Sequence, residues 1–123
     1  MKLDVKELIA KLINTPIYHK SGSGTVANAT IKQVDTLALG PGKWLVFSDV
    51  TFTSGTSGNS QGQNRLRVSG VLKAIRWVAD IGVVSPSALS ISEGNETVSL
   101  EVFVYAGGSS NSYSYNLYAI GIG

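Results

Sequence analysis

The sequence predicts an all-β protein: a jelly-roll β-sandwich of about eight antiparallel strands, preceded by one short N-terminal α-helix. Apolar residues alternate with a period of two from Ile17 onward, and clusters of glycine, serine and asparagine interrupt them at the spacing typical of β-proteins. The chain has 123 residues, enough for one domain and too few for two. We therefore expect a helix within residues 1–16 and a single sandwich domain over residues 17–123.

The alternating pattern also predicts the individual strands. They are expected at residues 25–33, 35–39, 43–53, 64–71, 73–84, 88–92, 97–106 and 112–122. Residues 54–63 have no apolar side chain and are expected to form one long solvated loop, and residues 93–96 a short hairpin loop. Trp44 and Trp77 lie in the middle of strands with apolar neighbours, which predicts that both are core residues.

The first sixteen residues have a different period. Their apolar side chains recur every three or four residues, and Asp4 followed by Glu7 matches a helix capping box. A helix this short is marginal by itself in water, so its apolar side must be covered. Two explanations fit: the helix packs on its own domain, or it forms a short coiled coil with other copies, with Val5, Leu8 and Leu12 at the heptad core positions.

Several strands, among them residues 44–47, 102–105 and 117–120, are apolar on both faces. One face must fill the core, and the other is expected to contact a second copy of the chain; the alternative is a monomer with a thick core. The C-terminal strand is expected to be an inner strand of its sheet, with either face towards the core. The expected subunit contacts are Val5, Leu8, Leu12, Phe103, Tyr105, Tyr113, Tyr115, Tyr118 and Ile120.

The composition limits the chemistry that the chain can perform. It has no cysteine and a single histidine, His19, which excludes thiolate nucleophiles, thiolate zinc sites and multi-histidine metal sites. We expect no catalytic residue, no metal and no cofactor. The net charge of +2 is too small to predict a nucleic-acid partner, and no apolar run is long enough to span a bilayer. We therefore expect a soluble protein without membrane insertion.

Three arginines could lie close together on neighbouring strands. Arg65, Arg67 and Arg76 would form a basic strip able to bind phosphate or acidic sugars. The alternative is that they form cross-strand ion pairs, and Asp49 and Asp80 are the acids expected for that role. The second explanation is the simpler one.

The segment LALGPGKWLVF at residues 37–47, followed by VTFTS at 50–54, a polar loop and RLRV at 65–68, resembles the head domains of phage tail-fibre and receptor-binding proteins. The final segment, YNLYAIGI at 115–122, resembles the last strand of trimeric jelly rolls of the tumour-necrosis-factor and complement-head type. The resemblance covers residues 17–123, and residues 1–14 resemble the coiled-coil end of a fibre shaft. It implies a non-enzymatic homotrimer on the virion that binds a host cell-surface saccharide or protein.

The polar, glycine-rich segments 54–63 and 107–111 are the expected receptor-binding regions. The residues expected to bind there are Ser57, Asn59, Gln61, Gln63 and Asn111. Two alternatives remain. The same trimer could be purely structural, as a trimerisation domain, a cap or a capsid decoration of a fibre. The chain could instead be a monomeric carbohydrate-binding module, whose mark would be a flat, exposed row of aromatic side chains.

Overall fold

The computed structural model describes residues 16–52, 61–79, 87–105 and 110–123. The predicted N-terminal helix lies outside this part of the chain, and so do its expected contact residues Val5, Leu8 and Leu12. The expected receptor-binding residues Ser57 and Asn59 also lie outside it. The expectations for these residues stay predictions.

The described residues form eight β-strands in two antiparallel sheets of four. The strands are β1 (Ile17–Val26), β2 (Ile31–Ala38), β3 (Pro41–Phe52), β4 (Gln61–Val68), β5 (Val71–Ala79), β6 (Ser87–Gly94), β7 (Thr97–Tyr105) and β8 (Asn111–Gly121). The first sheet has the order β1-β8-β3-β6, and the second has the order β2-β7-β4-β5. The predicted all-β sandwich of eight strands is confirmed.

The predicted boundaries are wrong at the start of the sandwich. Residues 17–24, which were not expected to form a strand, make up most of β1 (Ile17–Val26). The predicted strand 25–33 is broken by a turn in which Ala29 has a φ of 58°, and residues 31–38 form one strand with a bulge between Gln33 and Asp35. β1 escapes the periodicity argument because it is a mostly exposed edge strand, so its side chains need not alternate between apolar and polar.

The segment at residues 93–96 is not a hairpin loop. β6 belongs to the first sheet and β7 to the second, so the chain crosses between the sheets here. Gly94 and Asn95 both have positive φ values, 91° and 54°, which turn the chain sharply enough for the crossing. Among the described strands, β4 and β5 are the one consecutive pair that is hydrogen-bonded as a hairpin.

The two ends of the sandwich differ in their connections. Strands at one end, here called the base, are joined by residues 39–40, 69–70 and 95–96. Pro16 and Gly123 lie at the base too, where the Pro16 carbonyl accepts a hydrogen bond from the Gly121 N–H at 2.9 Å. Strands at the opposite end, here called the loop end, lead into residues 27–30, 53–60, 80–86 and 106–110. Pro16 and Gly123 therefore lie at the opposite end of the sandwich from the strand ends that lead into the longer connecting segments.

The core lies between the sheets and is predominantly aliphatic. Trp44 is buried, as predicted, and its Nε1 donates to the Gly40 carbonyl at 3.1 Å. The core side chains are Val26, Leu37, Leu39, Trp44, Val46, Val50, Phe52, Leu66, Val68, Ala88, Val98, Leu100, Val102, Val104, Tyr113, Leu117 and Ala119. One polar pair joins the sheets inside it. Ser48 Oγ donates to Asn64 Oδ1 at 2.8 Å, and Asn64 Nδ2 donates to the Ser48 carbonyl at 2.9 Å.

The position of β8 agrees with the sequence prediction, because it is an inner strand between β1 and β3. The structure also shows which face of β8 is directed towards the core. Tyr113, Leu117 and Ala119 are buried in the core, whereas Tyr118 and Ile120 lie on the outer face of the first sheet. The last strand of the chain therefore holds the first sheet together and contributes to both of its faces.

Replacing Leu117 with alanine should lower the free energy of unfolding by about 2–5 kcal/mol, because the side chain is fully buried and the fixed strands around it cannot close the cavity. The matched control is Ile122→Ala, whose side chain is 50 % exposed just beyond the same strand and whose loss should cost about 0.5 kcal/mol or less. Urea unfolding followed by circular dichroism measures both. Equal midpoints for the two variants would show that β8 is not part of a packed core.

Gly94 and Gly70 offer a second controlled comparison. Both have positive φ values, 91° and 80°, so alanine at either position should cost about 1–2 kcal/mol in backbone strain. A Cβ on Gly70 meets nothing, whereas a Cβ on Gly94 would overlap the Gly42 carbonyl oxygen. Gly94→Ala should therefore cost about 3 kcal/mol or more in the same urea assay. A Gly94→Ala variant as stable as Gly70→Ala would mean that the base is not tightly closed.

Candidate functional site

The outer face of the first sheet carries two complete rows of mainly apolar side chains, here called the apolar face. The register places Ile17, Ile120, Leu45 and Ile91 in one row across all four strands, and His19, Tyr118, Phe47 and Leu89 in the next. Ile17, Leu89 and Ile91 are 59 %, 58 % and 51 % exposed. An exposed apolar surface that spans a whole sheet is unusual on a monomer and typical of an interaction site.

Aromatic stacking flattens the centre of the apolar face. The Tyr118 ring stacks on His19 with centroids 4.3 Å apart, and on Phe47 with centroids 4.7 Å apart. His19 Nε2 donates to Asn116 Oδ1 at 2.9 Å, which fixes the imidazole against the tyrosine. Three strands thus present one layer of parallel rings, which makes the surface rigid before any partner binds.

The apolar face occupies the half of the sheet near the base. Towards the loop end, the next rows of the same outer face are polar: Ser21, Asn116, Asp49 and Ser87, then Ser23, Ser114 and Thr51. Asp49 accepts a hydrogen bond from the Ser87 hydroxyl, so it does not pair with an arginine as predicted. The apolar side chains are therefore grouped where the chain enters and ends.

The outer face of the second sheet differs in kind, because its centre is charged. Glu101 Oε1 accepts from Arg67 Nε at 2.9 Å and from Arg65 Nε at 3.2 Å. Arg65 Nη1 also donates to Gln63 Oε1 at 2.9 Å. Arg65 and Arg67 therefore form cross-strand ion pairs, as the simpler prediction had it, but the acid is Glu101. Arg76 takes no part in this network, and Asp80 lies outside the described residues.

Next to this network, at the loop end, lies a group of aromatic rings, here called the aromatic face: the exposed Trp77 and Tyr105 and the partly buried Phe103. Trp77 is 54 % exposed and Tyr105 is 55 % exposed, and the Trp77 and Phe103 rings make an edge contact with centroids 6.3 Å apart. The prediction that Trp77 is a core residue is wrong. Trp77 pairs with Gln63 on the outer face of the edge strand β5, so it points away from the other sheet.

Two of the expected receptor-binding residues are not on the surface. Gln63 is only 5 % exposed and bonds to Arg65, and Asn111 is fully buried, with Nδ2 donating to the Val26 carbonyl at 3.1 Å. The strand register turns both amide groups towards neighbouring segments of the chain, and their hydrogen bonds hold those segments in place. Gln61 is partly exposed at the start of β4, and its role in binding stays a prediction, as for Ser57 and Asn59.

The expected subunit-contact residues divide among three places. Tyr118 and Ile120 lie on the apolar face, and Phe103 and Tyr105 lie on the outer face of the other sheet. Tyr113 is buried in the core, so its ring is not presented to another copy, contrary to expectation. Tyr115 is partly buried and packs against the core, and its subunit contact stays a prediction. The sequence analysis did not identify four further residues of the apolar face, whose outward position follows from the strand register: Ile17, Phe47, Leu89 and Ile91.

Tyr115 anchors a polar cluster at the edge between the sheets. Its hydroxyl donates to Asp35 Oδ2 at 2.8 Å, and Lys20 Nζ lies 3.6 Å from Asp35 Oδ1. Partial burial acts to raise the pKa of the Asp35 carboxyl, but hydrogen bonds from Tyr115 and the Thr36 N–H, together with the Lys20 charge, outweigh it and lower that pKa below its usual value. Burial and the bond to Asp35 raise the pKa of Tyr115 to about 12.

Within the described part of the chain, no group of three or more His, Cys, Asp or Glu side chains could hold a metal ion. No helix among these residues is long and apolar enough to cross a membrane. Three groups of side chains in this part of the chain are the candidate sites: the apolar face, the aromatic face with its arginine network, and the Asp35 cluster.

No protein-family model matches the sequence, and no curated protein matches it. Solved structures share the fold. The VP2 subviral particle of infectious bursal disease virus matches with a TM-score of 0.61 at 12 % identity over 87 % of this chain and 33 % of that chain. The structure of the Gx strain of the same virus matches with a TM-score of 0.57 at 11 % identity over the same shares of the two chains. The chain thus spans about a third of the length of these viral chains.

A further structure matches over nearly its whole length: the CBM36-1 domain of a multidomain xylanase from the hindgut metagenome of Trinervitermes trinervoides. Its TM-score is 0.47 at 14 % identity, over 89 % of this chain and 98 % of that chain. A score this low does not establish a common fold. The comparisons therefore show the fold alone: a β-sandwich similar to part of the VP2 chain of infectious bursal disease virus.

Replacing Asp35 with asparagine should flatten the acid end of the stability profile. Because the folded pKa of Asp35 is lowered, its carboxylate stabilises the fold above the ordinary value of 3.8, and this contribution is lost as the pH falls through the folded value. Asparagine retains an acceptor for Tyr115 but does not titrate. Urea unfolding at pH 6, 4 and 3 should show a steeper decline for the wild type than for Asp35→Asn. Parallel declines would exclude this role for Asp35.

Proposed function

We propose that this chain is the non-enzymatic head domain of a phage or prophage tail fibre, a homotrimeric jelly roll that is displayed on the virion and binds the host surface. The strand orders β1-β8-β3-β6 and β2-β7-β4-β5 support the jelly roll. The observation that carries the proposal is the apolar face at the base of the first sheet. The viral capsid neighbours agree with the fold, and the function rests on the surfaces of this chain.

The apolar face supports assembly because it has the composition of a subunit contact. Its two rows contain aromatic and aliphatic side chains with His19 as the one titratable group other than Tyr118, whereas the core of a protein interface is depleted in charged residues. The simplest partner for this face is another copy of the same chain, because no second protein is then required. Identical subunits usually assemble with closed symmetry. Three copies would place their apolar faces around one axis.

The ends of the sandwich support a trimer at the tip of a fibre. The chain enters at the base, beside the apolar face, and residues 1–14 carry the heptad pattern of a coiled coil. A shaft would then join the head where the subunits touch. The strand ends that lead into residues 53–60, 80–86 and 106–110 lie at the opposite end of the sandwich, and this is the end proposed to meet a receptor. Ser57 and Asn59 belong to the first of these segments and are proposed to bind there.

The proposed interface differs in part from the sequence expectation. Tyr118 and Ile120 remain in it, now together with Phe47, Leu89 and Ile91. Phe103 and Tyr105 lie on the other sheet and cannot join the same contact. A purely structural trimer without a ligand is the second candidate, because the same apolar face supports it. A monomeric carbohydrate-binding module is the third, and the exposure of Trp77 is the feature in its favour.

Leu89→Asp tests the assembly directly. The Leu89 side chain is 58 % exposed in the single chain, so aspartate should leave the fold intact while placing a charge in the proposed contact. Light scattering should give about three times 12.9 kDa for the wild type and about 12.9 kDa for the variant. The matched control is Val71→Asp, an exposed apolar side chain on the second sheet, which should remain trimeric.

A monomeric wild type, or a Leu89→Asp variant that keeps the wild-type mass, would overturn the proposed assembly. Circular dichroism of both variants confirms that the comparison is between folded chains.

A further inference from the structure

Two large aromatic side chains of the second sheet remain uncovered after the proposed trimer has formed. Trp77 on β5 and Tyr105 on β7 are both more than half exposed, and they lie on the sheet opposite the apolar face. Phe103 supports Trp77 from the side with an edge contact at 6.3 Å. These rings sit on a hydrogen-bonded sheet and not on a loop, so their positions are fixed before a ligand arrives.

We propose that the aromatic face is a saccharide-binding site, in which pyranose rings stack on Trp77 and Tyr105 and sugar hydroxyls bond to Gln61. The proposal rests on the proposed function only for the source of the saccharide, the host surface. It places a binding site on a sheet face, in addition to the residues Ser57 and Asn59 proposed above. Gln61 is the one residue of this site that the sequence analysis also expected to bind.

The geometry suits a sugar because apolar and polar groups alternate across three strands. Gln61 on β4 pairs with Tyr105 on β7, and it lies one diagonal step from Trp77 on β5. A pyranose has a face of C–H groups, which packs on an aromatic ring, and a rim of hydroxyls, which bond to a planar amide. Aromatic walls with a few placed polar groups are the usual make-up of small-ligand sites.

The spacing indicates more than one sugar unit. Trp77 and Tyr105 are two strand spacings apart across the sheet and one side-chain repeat apart along it, which separates their backbones by about 12 Å. That distance exceeds the width of a single pyranose ring. An oligosaccharide of at least two units can therefore contact both rings at once, and a monosaccharide can contact one.

The charges beside the aromatic face argue against a second copy of the chain as its occupant. Arg65 and Glu101 are already mostly buried in the middle of this sheet, but the Arg67 side chain is 31 % exposed, and a protein contact over it would remove its remaining water without supplying a new partner. The same network holds Gln63 in place next to Trp77, so it stiffens the site from beneath. The apolar face has no such group in its rows, which is why it is assigned to assembly.

Nucleic acid fits the aromatic face less well than a saccharide does. The two arginines are already paired with Glu101, which leaves a net charge of +1 for the network. Binding to a phosphate backbone needs a stripe of several uncompensated cations. An uncharged or weakly anionic chain of sugar rings matches this balance.

The test uses the full chain and a printed array of neutral, uronate-bearing and phosphate-bearing oligosaccharides of one to six units. The wild type should bind at least one series of oligosaccharides, and the amount bound should rise when the sugar lengthens from one unit to two. Trp77→Ala should weaken binding by about tenfold or more, as expected for loss of an aromatic anchor. The matched control is Val71→Ala on the same strand, with the same 54 % exposure, which should bind as the wild type does.

Light scattering on each variant separates this proposal from the proposed assembly. Loss of sugar binding by a Trp77→Ala variant of unchanged mass supports the saccharide site, whatever Leu89→Asp does to the trimer. A Trp77→Ala variant that loses its oligomeric mass would make the aromatic face a subunit contact and overturn the proposal. Unchanged sugar binding by Trp77→Ala, or no retention of the wild type on any series, would overturn it too.

Discussion

The rest of the structure depends on one constraint: the first sheet is apolar on both faces, and a single sandwich covers only one of them. In β3, Val46 is fully buried while Phe47 faces outward, and in β8 Leu117 is fully buried while Tyr118 faces outward. The second sheet covers the inner side chains. The outer ones form an ordered layer of stacked rings with nothing from the described chain over it. Because burying apolar area is favourable, this exposed layer is the observation on which the proposed contact with further copies of the chain rests.

The second sheet also has an outer face that the other sheet does not cover, but this face has a different composition. Its centre is polar, because Glu101 accepts from two arginines and the amide of Gln63 completes the network. Such a face is stable in contact with water. The aromatic rings are then confined to the loop end, beside the charged centre and not throughout the sheet. The two outer faces thus differ in chemistry, and this difference is the ground on which we propose protein contact for one and a saccharide for the other.

The fold was largely predictable because strand segments rich in apolar residues are separated by clusters of glycine, serine and asparagine. The inner strands β3, β7 and β8 carry that signal, and their positions agree with the sequence within a few residues. Most of β1 was missed because an exposed edge strand need not be rich in apolar residues. Trp77 was misplaced for a related reason: apolar neighbours indicate burial only when both faces of a strand are covered, and β5 is an edge strand whose outer face is open. Which strands lie at an edge is decided by long-range pairing, which periodicity does not contain.

The candidate sites show the same limit at the level of single residues. Gln61 and Gln63 are two positions apart on one strand and of one residue type, yet one remains partly exposed between two rings and the other is buried in the arginine network. Likewise Tyr113 and Tyr118 belong to one strand, but an odd separation sends one into the core and the other onto the apolar face. Residue type supplies the chemistry, and register decides whether a partner can reach it. Both proposed functions of this sandwich therefore depend on the pairing of the strands, which places similar residues on two outer faces of different chemistry.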